Sequence, residues 1–181
     1  MRTFAFVAGL VVCGLAGVGA ASAMTVTSPD IKPGGKIADE QVFNGWDCTG
    51  KNVSPALAWS GAPKGTKSFA VSMYDPDAPT GSGFWHWRVA NIPASVTSLP
   101  KGAGSGTGLP DGAVQPHNDF SLAGYGGPCP PKGKPHHYVI TVYALKADKL
   151  DVDANASAAV FGFNANANAL AKATLTGVYG R

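Results

Sequence analysis

The sequence predicts a mainly β fold, and three observations support this prediction. Hydrophobic runs over residues 68–74, 84–92 and 138–145 have strand length and are rich in β-branched and aromatic residues. The first and the last of these runs each adjoin a loop rich in proline and glycine. One stretch alone, residues 154–170, has the alanine content of a helix. Composition and pattern by themselves limit the class to all-β or α+β.

The strands follow from local signals, taken in chain order. Residues 24–28 and 56–60 predict two short strands. The run over residues 68–74 ends at Asp75, because a residue before proline is held extended and Pro76 cannot donate to a strand ladder. Residues 84–92 form the next strand. The run over residues 138–145 is apolar on both faces, which predicts a central position in a sheet.

The remaining segments are a helix, a late strand and a long loop. Residues 154–170 predict a helix with Asp153 as its N-cap, and residues 171–179 predict the late strand. Residues 101–127 are rich in glycine and proline and show no periodicity. Because a loop of that length in a compact domain is usually functional or disordered, we expect it to cover the site or form its rim.

The first 23 residues have the pattern of a secretory signal peptide. Arg2 precedes an apolar run over residues 4–18, and Ala21-Ser22-Ala23 is a small-x-small cleavage site. The alternative is a membrane anchor, but glycines interrupt the run, which falls short of the ~20 apolar residues that a span needs. Cys13 follows Val12, where a lipoprotein signal would have a small residue. We therefore expect a single domain over residues 24–181, periplasmic or secreted, with no stable membrane anchor after cleavage.

Charge and cysteine content narrow the function classes further. The net charge is +3, and the lysines are scattered among acidic residues, which argues against nucleic-acid binding. Two cysteines remain after cleavage, Cys48 and Cys129. An even pair in an oxidising compartment predicts a disulfide. The alternatives are a metal-binding pair and a reactive thiol, and neither has the usual spacing.

Most of the chemistry is concentrated in two blocks, each of which joins a strand to a stiff loop. The first block is Asp75-Pro76-Asp77-Ala78-Pro79 with Trp85-His86-Trp87, and the second is Gly127-Pro128-Cys129-Pro130-Pro131 with His136-His137-Tyr138. His136 and Tyr138 are two residues apart, so their side chains share one face of a strand, whereas His137 points to the other. We expect Asp77 to cap the turn through local backbone hydrogen bonds.

These blocks resemble the motifs of the phosphatidylethanolamine-binding protein family, also called Raf-kinase-inhibitor-like proteins, in the short bacterial form. Asn52-Val53-Ser54-Pro55, Asn91-Ile92-Pro93 and the closing Gly177-Val178-Tyr179-Gly180-Arg181 extend the resemblance over nearly all of residues 24–181. It implies a β-sandwich of antiparallel sheets with a few short peripheral helices. It also implies a small anion-binding pocket, formed by Asp75, His86, Gly127, Pro128, His136 and Tyr138. Histidine and tyrosine donors with backbone N–H groups suit a phosphate group.

Three function classes follow. The first is a binding protein for a small phosphorylated or other anionic ligand, without turnover and without a cofactor, because neither a nucleophile elbow nor a carboxylate pair stands out in the sequence. The second is a metal-dependent enzyme that uses Asp75, His86 and His136 as a two-histidine, one-carboxylate triad. The third is an interaction protein that inhibits a kinase or a protease, as the resemblance implies.

Overall fold

A four-stranded antiparallel sheet forms the larger layer of the protein. The structure is a computed structural model that describes residues 23–181, so the predicted signal peptide lies outside the described residues except for Ala23. The strands of this sheet are β5 (Ser68–Asp75), β6 (Phe84–Pro93), β8 (His136–Leu145) and β9 (Ala169–Tyr179), and they lie side by side in the order β6-β5-β8-β9. Strand β8 pairs with both β5 and β9, which confirms the predicted central position of this apolar run.

A second, smaller antiparallel sheet packs on the first. It has the order β1-β4-β7, formed by Thr25–Thr27, Leu57–Ser60 and Ser98–Leu99. Trp59 and Leu99 from this sheet share one core with Phe69, Val71 and Val142 from the larger sheet. The two layers are therefore a β-sandwich of antiparallel sheets, which confirms the predicted fold class.

Both faces of strand β5 are buried, and the alternation of its side chains explains how. Phe69, Val71 and Met73 face the core between the sheets, whereas Ala70 packs on the opposite side with Phe161. Phe161 belongs to α1 (Ala158–Asn168), the one α-helix in residues 23–181. The larger sheet is therefore covered on one face by a sheet and on the other by a helix.

The helix is shorter than predicted at its start. Its N-cap is Ser157, whose hydroxyl accepts a hydrogen bond from the backbone N–H of Val160 at 3.2 Å. The prediction of Asp153 as the cap is wrong, because the Asp153 carboxylate accepts from the N–H of Asn155 in the preceding turn. Strand β9 follows directly at Ala169. Among residues 23–181, the other helical segment is a single 3₁₀ turn at Ala103–Ser105.

The long loop over residues 101–127 is packed against the sandwich. Tyr125 is buried, and its hydroxyl donates to the carbonyl of Gln41 at 2.8 Å. Asn118 is also buried and holds the segment up to Gly124 through side-chain hydrogen bonds. The loop therefore has a fixed conformation that can form a wall of a site.

In the part of the chain that is described, no helix has the length and apolar character needed to cross a membrane.

A two-residue hairpin completes the side of the molecule where this loop lies. Strands β2 (Asn44–Gly45) and β3 (Cys48–Thr49) are joined by Trp46 and Asp47, which have φ angles of 50° and 63°. Such positive angles suit a two-residue hairpin turn but are unfavourable for a bulky side chain such as tryptophan. The turn places Trp46 at the hairpin tip with 62% of its surface exposed.

Candidate functional site

A cavity of about 350 Å³ opens where the ends of β5, β6 and β8 meet the hairpin and the proline-rich loop. Its walls combine titratable groups with apolar and aromatic side chains. The lining residues are Trp46, Asp75, Ala78, Pro79, Thr80, Phe84, His86, Phe120, Cys129, Pro130, Pro131, His136, Tyr138 and Arg181. Four of the six residues predicted for the pocket, Asp75, His86, His136 and Tyr138, are among them.

Asp75 and His136 form a buried pair on one side of the cavity. Strand β5 ends at Asp75, and His136 begins the neighbouring strand β8. Nδ1 of His136 lies 2.7 Å from Oδ2 of Asp75, and the two side chains are 11% and 3% exposed. The other carboxylate oxygen accepts from the N–H of Asp77 at 2.8 Å, so Asp75 caps the turn that Asp77 was expected to cap. Both oxygens of Asp75 therefore have a fixed partner.

A β-bulge brings His86 into the cavity. The pairing of β5 with β6 passes from Met73 and Trp87 to Tyr74 and Trp85, so His86 is the extra residue between two paired positions. A bulge of this kind redirects a side chain without ending the strand. Nδ1 of His86 lies 2.7 Å from the carbonyl oxygen of Gly126. Because a carbonyl can only accept, Nδ1 carries the hydrogen.

Burial keeps His86 uncharged. Desolvation of the buried ring lowers the pKa of His86 from 6.5 to about 4, although the Gly126 carbonyl and the charge of Asp75 oppose this shift. With Nδ1 protonated and the ring neutral, Nε2 has a free lone pair. No protein group within residues 23–181 donates a hydrogen bond to that nitrogen.

Tyr138 lies beside His86, with the ring centroids 5.1 Å apart. Its hydroxyl is buried and has no hydrogen-bond partner among the described residues. Burial, followed by the charge of Asp75, raises the pKa of Tyr138, so the phenol stays protonated. An unpaired buried hydroxyl has a free-energy cost, and a ligand or water that accepts its hydrogen would remove that cost.

A second pair, between Asp77 and His137, lies outside the cavity. Nδ1 of His137 is 2.7 Å from Oδ2 of Asp77, and the two side chains are 57% and 41% exposed. Hydrogen bonds from the backbone and the ring of His137 lower the pKa of Asp77. The prediction that His137 points away from His136 is confirmed by this exposure.

Gly127 and Pro128 do not line the cavity, although the sequence predicted them there. The N–H of Gly127 donates to the side chain of Asn52 at 2.7 Å, and the carbonyl of Pro128 accepts from the N–H of Phe43. A Cβ atom at Gly127 would lie 2.1 Å from the carbonyl oxygen of Gln41. These two residues therefore hold the loop close to the neighbouring backbone, and the residues that follow them form the cavity wall.

The predicted disulfide between Cys48 and Cys129 is present. It joins strand β3 of the hairpin to the proline-rich loop, and Cys129 itself lines the cavity. Arg181 adds a second connection, since it donates to the carbonyls of Pro130 and Asp47 at 2.7 and 3.2 Å. The wall on this side of the cavity is therefore fixed both covalently and by hydrogen bonds.

The aromatic rim of the cavity was not predicted. Phe120 contacts Trp46 and Phe84, with ring centroids 4.7 Å apart in both cases. Phe120 belongs to the loop over residues 101–127, which confirms the prediction that this loop forms the rim. Arg181 was also missed as a wall residue. No local signal in the sequence indicates these contacts, because they depend on how distant segments pack.

No group of three or more His, Cys, Asp or Glu side chains suited to a metal ion was found within residues 23–181. Nδ1 of His86 and Nδ1 of His136 are each occupied by a protein oxygen. The residues of the alternative triad therefore lie near one another, but they do not form a three-ligand set.

Comparison with known proteins identifies the family. The sequence model described as phosphatidylethanolamine-binding protein matches residues 27–180. The UPF0098 protein YbcL of Escherichia coli K12 is 59% identical over 162 residues, which cover 88% of each chain. YbhB of the same organism is 50% identical over 157 residues, which cover 86% of this chain and 99% of YbhB.

A solved structure and a more distant relative extend the comparison. The crystal structure of E. coli YbcL, described as a new member of the mammalian PEBP family, superimposes with a TM-score of 0.86 at 58% identity and covers 88% of this chain and 99% of YbcL. LppC of Mycobacterium tuberculosis, which carries a provisional lipoprotein name, is 36% identical over 127 residues, or 70% of this chain and 57% of LppC.

The sandwich and these matches define the class of protein as a binding protein of the PEBP type. The chain belongs to the phosphatidylethanolamine-binding protein family.

Proposed function

We propose that this protein is a periplasmic or secreted binding protein whose cavity holds a small phosphate-bearing or other anionic ligand, without chemical turnover. The observation that carries the proposal is the convergence of Asp75, His86, His136 and Tyr138 on one cavity with an otherwise apolar and aromatic wall. A concave, mostly apolar site with a few convergent polar groups is typical of a small-ligand pocket.

The donors around the cavity suit an oxyanion. Arg181 lines the cavity and uses Nε and one terminal nitrogen for the wall, which leaves its other terminal nitrogen for a ligand. The hydroxyl of Tyr138 has no partner among the described residues, and Nε2 of His136 is not engaged by the contact of Nδ1 with Asp75. The remaining N–H groups of Arg181 therefore supply charge-assisted hydrogen bonds to a phosphate oxygen.

Binding is tested by calorimetric titration of residues 24–181 with inorganic phosphate, phosphoethanolamine and a nucleotide. We expect saturable binding that is lost in His86→Ala and in His136→Ala. The matched control is His117→Ala, because His117 is exposed and lies outside the cavity lining. Absence of binding by the folded wild-type protein, or equal binding by all three variants, would refute the proposal.

Export is tested separately. The proposal that the protein leaves the cytoplasm rests on the pattern of residues 1–23, and the relative with a lipoprotein name is in line with it. We expect the periplasmic fraction of cells that express the full chain to contain a species whose measured mass corresponds to residues 24–181. Recovery of the uncleaved chain in the cytoplasm would contradict export.

A further inference from the structure

The hydrogen bond between His86 and Gly126 assigns a fixed role to each nitrogen of the His86 ring. Nδ1 donates to the Gly126 carbonyl at 2.7 Å. A hydrogen on Nε2 as well would create an imidazolium ion, which is disfavoured because only 3% of the His86 surface is exposed. Nε2 is therefore an acceptor at a cavity wall, and no protein donor reaches it in the described part of the chain.

The charged side chains around the cavity support the same conclusion. Apart from the histidines, the charged side chains that line it, among the residues described, are Asp75 and Arg181. Asp75 is an acceptor that carries a negative charge, and it is buried beside Tyr138. Arg181 is held at the wall by Pro130 and Asp47. A ligand with two full negative charges and no hydrogen would therefore face the anion of Asp75 and the lone pair on Nε2 of His86, with Arg181 as the charged donor.

We propose that the cavity selects oxyanions that carry an acidic hydrogen, namely inorganic phosphate and phosphomonoesters, over those that carry none, namely sulfate and phosphodiesters. The hydrogen of the ligand is donated to Nε2 of His86, while another of its oxygens accepts from Arg181. This selectivity rests on the proposed function, and it separates a free phosphomonoester from the diester found in a phospholipid headgroup.

The selectivity follows from the cost of an unmatched lone pair. An oxygen without hydrogen, placed against Nε2 of His86, leaves two buried acceptors facing each other. A mismatch of this kind changes affinity by at least about tenfold. Phosphate and sulfate have nearly the same size and shape, so a difference between them reports the hydrogen and the charge that it neutralises, and not the fit.

The experiment is calorimetry at about pH 6, where a phosphomonoester retains its last proton in about half of the molecules. Inorganic phosphate is compared with sulfate, and methyl phosphate with dimethyl phosphate. A third comparison sets phosphoethanolamine against glycerophosphoethanolamine, which is the diester with the same ammonium group. In each pair we expect the first ligand to bind at least about tenfold more tightly.

Two substitutions at His86 connect the selectivity to Nε2. His86→Gln places a side-chain amide near the position of Nε2, and this amide can donate as well as accept. The affinity for sulfate should therefore rise relative to the affinity for phosphate. His86→Asn keeps a donor near the Gly126 carbonyl but removes the group at Nε2. We expect the phosphate-to-sulfate ratio to fall in both variants, with circular dichroism to verify that each one folds.

The outcomes separate the two proposals. Equal affinity of the wild-type protein for phosphate and sulfate, or for phosphoethanolamine and its diester, would overturn the selectivity and leave the binding function intact. A strong preference for phosphate that persists unchanged in His86→Gln would also overturn it, because another group would then be responsible. Failure of all six ligands to bind would refute the binding function itself and the selectivity with it.

Discussion

Two aspartate–histidine pairs in this protein have the same geometry and different surroundings. Asp75–His136 and Asp77–His137 both have a nitrogen–oxygen distance of 2.7 Å, but the first is buried and the second is about half exposed. Water competes for the exposed pair and screens its charges, whereas the buried pair has no such competitor. Burial is therefore the main difference between the pairs, although each aspartate also accepts from a backbone N–H, that of Asp77 for Asp75 and that of His137 for Asp77.

Replacing each aspartate in turn tests this difference. Asp75→Asn removes the charge that faces His136, and we expect the free energy of unfolding to fall by about 2 to 4 kcal/mol. Asp77→Asn should lower it by less than about 1 kcal/mol. Urea denaturation of both variants measures the two values. Equal losses would mean that burial does not distinguish the pairs.

The uncharged state of His86 makes the stability of the protein depend on pH. The pKa of this residue is about 4 in the folded protein and 6.5 in the unfolded chain. As pH falls through about 6.5, the unfolded chain binds a proton that the folded protein does not bind until about pH 4, so stability is lost across this window. The loss reaches roughly 3 kcal/mol at its lower end.

Urea denaturation at about pH 7 and about pH 5 checks this pH dependence. Between these values the wild-type protein should lose about 2 kcal/mol more than His86→Gln, which lacks the titrating ring. Parallel profiles for the two proteins would show that His86 makes no contribution.

At the level of elements, the strands of the larger sheet could be predicted because each is a hydrophobic run bounded by a proline or glycine signal. Pro76 ends β5 at Asp75, and the apolar run of β8 identified its central position. The bulge at His86 could not be predicted, because it depends on the register between β5 and β6. The hairpin at Trp46 was missed because its turn lacks the usual asparagine and glycine.

Two glycine-to-alanine substitutions should have opposite effects. At Gly127 the new methyl group would lie 2.1 Å from the Gln41 carbonyl oxygen, and we expect a loss of about 2 kcal/mol or more. At Gly162, inside helix α1, nothing lies within 4 Å of the new group, and alanine should stabilise by about 0.5 to 1 kcal/mol. Thermal and urea denaturation measure both. A Gly127→Ala protein as stable as the wild type would contradict this account of the proline-rich loop.

At the level of the whole molecule, the cavity is assembled from segments that are far apart in sequence. Asp75, His86, His136 and Tyr138 could be predicted to lie together, because each belongs to a recognisable motif at a strand end or within a strand. The rim formed by Trp46 and Phe120 could not, since their positions depend on the hairpin, on the loop and on the disulfide that joins residues 81 positions apart.

Opening this disulfide should weaken both the fold and the site. In the chain-entropy description, a disulfide that closes a loop of 81 residues stabilises the folded protein by about 4 to 5 kcal/mol. We expect the urea midpoint to fall after reduction and in the Cys48→Ser, Cys129→Ser double variant. Phosphate affinity should fall as well, because Cys129, Pro130 and Pro131 form part of the wall. An unchanged midpoint under reducing conditions would contradict the structural role of the bond.

The exposure of Trp46 gives the protein a built-in optical reporter. Trp59 and Trp87 are buried in the core and Trp85 is half-buried against Tyr74, whereas Trp46 is exposed at the mouth of the cavity, against Phe120 and Phe84. A soluble quencher reaches its indole ring directly and reaches the core rings poorly. A ligand seated against the rim shields this indole and alters its fluorescence, so occupancy of the cavity can be followed in the unlabelled protein.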